Sequence, residues 1–216
     1  MKRIQHPREA AILLEPYYGT NTWIFGVDGD EIYDPHGLCI MRERIMNGDF
    51  EGDWCIFGNV LNVVSISLER KTARGYLAPP SRSMTKLYNF QMIEDWRDCP
   101  ERFLGGEIKF KDGYHAGLRR QLHAEVSWEQ SYFRCLHMAF MKRSTRQKFR
   151  FSKTRLNPDE INYINAQASR ALKMIRALQL WVSQLTGRDW KSQKYRRGPQ
   201  VKKDVAPFFS NEWIYG

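Results

Sequence analysis

A chain of 216 residues, 42% of them hydrophobic, is long enough to bury a core and fold on its own, and its longest uncharged run, residues 55–68, is too short and too polar to span a bilayer needing about 20 apolar residues. The net charge of +10 is unevenly placed: residues 1–69 hold five Lys/Arg against eleven Asp/Glu, whereas residues 70–216 hold 29 against 13. Such asymmetry marks a nucleic-acid or anionic-membrane surface on the basic part, the alternative reading being a solvated charge excess.

The four cysteines, Cys39, Cys55, Cys99 and Cys135, form no CxxC pair, so they signal neither a zinc knuckle nor a thioredoxin-type site and read as buried free thiols. The start, MKRIQHPRE, has no apolar stretch of the secretory kind. An intracellular, reducing location is the expectation, with no membrane partner.

In chain order, residues 20–27 are rich in β-branched and aromatic side chains, Asp28-Gly29 is a hairpin-type turn, and residues 30–33 form the return strand. A short helix is expected over Leu38–Met46, followed by the acidic patch Asp49, Glu51, Asp53. Residues 54–57, Gly58-Asn59 and residues 60–68 read as a second hairpin whose later strand is nearly continuously apolar, as in a central, two-side-buried strand. Residues 69–86 turn polar and basic and include Pro79-Pro80, the pattern of an exposed loop. Residues 87–96 read as helical, residues 107–111 with Asp112-Gly113 as a strand and turn, and residues 116–141 as a long helix with Leu118, Leu122, Val126, Phe133, Leu136 and Phe140 near one face.

The best-specified element is a helix over residues 157–187. Asn157 caps it, Pro158 fits its first position, Asp159 and Glu160 complement the dipole, and Gly187 supplies a C-terminal stop. Its apolar seam runs through Ile161, Ile164, Ala168, Ala171, Ile175, Leu178, Val182 and Leu185, while Arg170, Lys173 and Arg176 lie outside the seam. The fold class so predicted is α+β: N-terminal antiparallel β-hairpins packed against two long C-terminal α-helices. One domain, 1–216, is expected, with a possible subdivision into an acidic β-rich part, 1–70, and a basic, mainly helical part, 87–216.

Basic residues interleaved with aromatics flank the 157–187 helix. On one side stand Lys142, Arg143, Arg146, Lys148, Arg150 and Phe151; on the other stand Trp190, Lys191, Lys194, Tyr195, Arg196 and Arg197. Cations neutralise phosphates and release counterions, and aromatic rings stack on unpaired bases. Together with Arg170, Lys173 and Arg176, these residues are the candidate nucleic-acid-binding set. Asp53 with Glu69 and Lys71, the last pair at a strand end, matches the acid and E-x-K order of Mg²⁺-dependent PD-(D/E)xK nucleases. His36 with Cys39 and Cys135 with His137 would make a zinc site only if the fold gathered all four. Phosphate-loop, dinucleotide, hydrolase-elbow and H-E-x-x-H motifs are absent.

The function expected is therefore non-enzymatic binding of nucleic acid, DNA or RNA, with no cofactor or metal. The alternatives are a protein-interaction or virion-type structural role as a homo-oligomer, and the nuclease. Size and a Trp- and Met-rich composition suit a viral or phage accessory protein, although no residue motif carries that association.

Overall fold

The computed structural model describes residues 13–78, 86–97, 106–141 and 194–210. They form eleven strands in three sheets, with two α-helices, α1 (Pro35–Met46) and the single-turn α2 (Leu122–Glu125). The described chain is thus mainly β, which corrects the expected architecture of hairpins against two long C-terminal helices. The helix over 157–187 lies outside the described residues. Two compact units emerge: Met1–Leu61 with Pro80–His137 and Val205–Gly216, and Asn62–Pro79 with Met138–Asp204.

In the first unit, strands β1 (Trp23–Phe25), β6 (Lys86–Asn89), β3 (Cys55–Phe57) and β9 (Arg119–Gln121) lie in that order in one sheet. Strand β6 pairs antiparallel on both sides, with Tyr88 opposite Ile24 and Cys55, and β3 runs parallel to β9. Because β6 is flanked by strands, Leu87, Tyr88 and Asn89 are all buried, and no single helical face accounts for them. This is why residues 87–96 are not helical. They are β6, a 3₁₀ turn at Phe90–Met92 started by the Asn89 side chain accepting from Gln91 N (3.0 Å), and strand β7 (Ile93–Arg97). Strand β7 pairs antiparallel with β8 (Glu107–Phe110), where the predicted strand and its Asp112-Gly113 turn occur.

The core under this sheet joins Leu14, Trp54, Cys55, Tyr88, Phe90, Met92, Ile93 and Trp96. Trp54 is held at its polar end, its indole N–H donating to Ala116 O (3.0 Å), and it meets Phe110 edge-on at 5.2 Å. Burying such rings contributes roughly 25 cal/mol per Å² of apolar surface, provided their polar atoms find partners.

Neither predicted hairpin forms. Strand β2 (Glu31–Tyr33) pairs with β10 (Arg134–His137), not with β1, and β3 and β4 (Asn59–Ser67) enter different sheets. Two-residue type I′ turns need positive φ at their central residues, yet neither Asp28-Gly29 nor Gly58-Asn59 takes it. Gly58 instead permits a close backbone approach, since a Cβ there would collide with the Phe133 carbonyl, and Asn59 N donates to that same oxygen (2.8 Å).

Residues 116–141 are likewise no helix. They contain β9, α2, a turn and β10. Ser127 and Gln130 form a reciprocal pair, Gln130 N donating to Ser127 Oγ and Ser127 N to Gln130 Oε1 (3.4 Å each), which turns the chain before β10. A helix over these residues would have satisfied only its own backbone, whereas β10 also satisfies β2. The predicted short helix does form as α1, started one turn early at Pro35. Asp34 caps it, accepting from Gly37 N (3.2 Å) through one carboxylate oxygen and from Arg134 Nε and Nη2 (2.9 and 2.8 Å) through the other. Phe208, in the 3₁₀ turn Ala206–Phe209, is buried and stacks on Trp128 (5.8 Å, 12°).

In the second unit the later part of β4 is followed by β5 (Thr72–Leu77) and β11 (Gln200–Asp204), in the order β11-β5-β4. Strand β4 keeps the predicted apolar character, with Asn59–Val63 buried before the strand becomes wetter. Strand β5 occupies part of what reads as an exposed loop, because Arg74 and Lys71 mask an alternation in which Ala73 and Gly75 are buried. Gly75 lies so close to Asn62 O that a Cβ would collide with it.

Candidate nucleic-acid interface

The second unit concentrates positive charge. Its described residues, 62–78, 138–141 and 194–204, hold eight Lys/Arg against two Asp/Glu, while the described part of the first unit holds nine against fifteen. The acid excess of the first unit lies in its residues 13–61, with two Lys/Arg against nine Asp/Glu, so the change of sign runs along the chain as well as between the units.

Strand geometry places these charges. In β5, Thr72, Arg74 and Tyr76 share one face because side chains alternate, and the antiparallel register puts Asp204, Lys202 and Gln200 opposite them. Arg74 and Lys202 are both exposed and directly paired. Like charges in that position repel each other in the free protein and suit a polyanion lying over them.

Beside this pair the chain returns through residues 194–199. Gly198 makes the return possible: a Cβ there would collide with Leu77 O, and Leu77 N donates to Pro199 O (3.0 Å). The Asn62 amide donates to Tyr195 O (3.3 Å). The Arg196 guanidinium then lies 5.7 Å from the Tyr76 ring centre and 4.9 Å from that of Phe140, and Lys194 Nζ lies 5.3 Å from Tyr195. The rings contact one another, Tyr76 with Phe140 at 6.3 Å and Phe140 with Tyr195 at 6.4 Å, edge to face.

Of the sequence-derived binding set, Lys194, Tyr195, Arg196 and Arg197 fall on this surface. Lys142, Arg143, Arg146, Lys148, Arg150, Phe151, Arg170, Lys173, Arg176, Trp190 and Lys191 lie outside the described residues. Arg74, Tyr76 and Phe140 carry no local signal of their own. The alternation around Ala73 and Gly75 would have exposed the first two, but Phe140 is placed only by the tertiary fold.

The residues of the other constellations stand on separate elements. Asp53 belongs to the first unit, where burial raises its pKa above the ordinary carboxylate value, Arg120 opposes that rise and Glu125 adds to it. Glu69 and Lys71 are exposed in the 68–71 turn of the second unit. His36 is exposed and Cys39 half-buried on α1, whereas Cys135 and His137 are buried in β10, with His137 Nε2 3.6 Å from Asp30 Oδ2. Among the described residues, no group of three or more His, Cys, Asp or Glu is arranged to hold a metal ion. Cys39, Cys55 and Cys135 are free thiols, and burial pushes that of Cys55 up to about 12. No described helix is long and apolar enough to cross a membrane.

No family model, curated protein or solved structure matches this chain.

Proposed function

We propose that this protein binds nucleic acid without catalysing a reaction, using a basic C-terminal surface of which the β5–β11 pair and residues 194–197 are the described part. The observation that carries the reading is the exposed Arg74–Lys202 cross-strand pair next to Arg196 and its rings, in a unit with a large excess of cations. Holding like charges opposite each other costs stability in the free state and is offset when phosphates neutralise both. The basic residues of 142–155 and 188–193 extend the same charge along the chain. Free thiols and a nucleic-acid ligand both fit an intracellular, reducing compartment.

The test is a salt series of fluorescence anisotropy with labelled DNA and RNA. With about four cations on a single strand the slope of log K against log[salt] is roughly −3, and steeper if more of the chain takes part. The double reversal Arg74→Glu/Lys202→Glu is expected to flatten the slope by between about one and two and to weaken DNA and RNA ligands of every sequence alike. A salt-insensitive affinity, or wild-type binding by the double reversal, overturns the proposal.

A further inference from the structure

We infer that this patch grips the phosphodiester backbone and leaves the bases unread, with Arg196 as the fork that sets the grip. The inference rests on the nucleic-acid reading above and concerns what part of the ligand is recognised.

Three observations lead to it. First, Arg196 shares a face with the other two cations. Arg74 and Tyr76 are two residues apart on β5, about 6.6 Å along one face, and Lys202 is opposite Arg74. Arg196 reaches that face by lying against the Tyr76 ring.

Second, Arg196 is organised before any ligand arrives. Two rings, Tyr76 and Phe140, lie within 6 Å of its guanidinium carbon, and the Phe140 and Tyr195 rings meet edge to face. An arginine held by ring contacts gives up side-chain freedom in advance, and the N–H groups along the guanidinium edge remain suited to the bidentate geometry of a phosphate. A lysine in its place would keep the charge and lose both the planar contact and the fork.

Third, the aromatic rings in this patch are already used. Tyr76 and Phe140 take the Arg196 guanidinium, Tyr195 takes the Lys194 ammonium, and all three rings are half-buried. A base stacking on the face that carries the cation would have to displace that contact, and the packing between the rings narrows access to them further. Tyr195 is therefore part of the support and not a stacking platform, which differs from its sequence-derived role.

The experiment compares two oligonucleotides of equal length and phosphate number, a thymidine homopolymer and a fully abasic strand, binding to wild type, Arg196→Lys and Tyr76→Leu. The readout is the factor by which each variant weakens each ligand, so stacking contributed elsewhere in the chain cancels. Arg196→Lys is expected to weaken both strands by the same factor, about fivefold or more, because a charge-assisted fork is lost while the charge stays. Tyr76→Leu is expected to act likewise on both. Arg196 is exposed, so its lysine variant retains the wild-type melting temperature and carries the test even if Tyr76→Leu unfolds. Loss of affinity confined to the thymidine strand would overturn the inference in favour of base stacking, and wild-type affinity in Arg196→Lys would remove the fork. If neither strand binds wild-type protein at low salt, the nucleic-acid reading itself falls.

Discussion

Lys202 faces Arg74 across the β5–β11 pair, and opposite or like charges at such positions change stability by about 0.2–1 kcal/mol. Lys202→Glu converts repulsion to attraction, so it is expected to raise the melting temperature of the ligand-free protein while lowering its affinity for nucleic acid. A lower melting temperature would show that the pair does not repel. Glu31 poses the opposite problem, a carboxylate whose pKa burial raises despite bonds from Tyr33 OH (2.6 Å) and Asp28 N (3.1 Å). A raised folded-state value means that the fold favours the protonated acid; the contribution is fully present below the ordinary carboxylate value and is lost as pH rises through the folded one. Glu31→Gln keeps both acceptor contacts in neutral form, so it should stabilise the protein at neutral pH and lose that advantage in acid. Denaturant titrations at the two pH values check this, and an advantage that grew in acid would contradict it. Residue-scale signals of this kind were partly legible: the sequence names Lys194, Arg196 and Arg197, but which side chain faces which depends on strand register.

Among the elements, β4 and β8 are readable because their signals are local, a continuous apolar run and a short run before Asp-Gly, whereas α1 is expected only from Leu38 although its Asp34-Pro35 start lies one turn earlier. At the expected Gly58-Asn59 turn the glycine serves a close backbone approach instead of a hairpin, and Gly198 has the same role elsewhere. Gly58 is there for the approach of Phe133, and Gly198 for that of Leu77, which no dipeptide pattern reveals. This distinction is measurable by replacing glycines. Gly198→Ala places a methyl group against a backbone carbonyl that cannot easily move, and is expected to cost roughly 2 kcal/mol or more and to weaken binding through misplacement of Arg196. Gly29→Ala has open space around the new Cβ and no positive φ, so it should be neutral or stabilise by about 0.4–1 kcal/mol through the unfolded state. Urea denaturation separates them, and equal costs would mean that close approach is not what Gly198 provides.

For the whole molecule, opposite charge on the two units implies a localised footprint. Hydrogen exchange with bound oligonucleotide should show added protection at residues 72–77 and 200–204, while β7 and β8, in the acidic unit, keep their free-state rates. Protection confined to the acidic unit would place the ligand elsewhere. Net charge, the absence of standard catalytic motifs, free thiols and the basic-aromatic segments follow from the order of residues alone, since each depends only on composition or on spacing within a few positions. Strand pairing does not. The apolar period of residues 116–141 matches a helix, yet β10 within it supplies hydrogen-bond partners to β2, about a hundred residues away, and such partners are chosen by the fold as a whole. The same holds for the site, where Arg74, Phe140 and Arg196 come from three distant segments; only tertiary structure decided that these cations and rings meet, because burial of Ala73 and Gly75 fixes which face of β5 is left exposed.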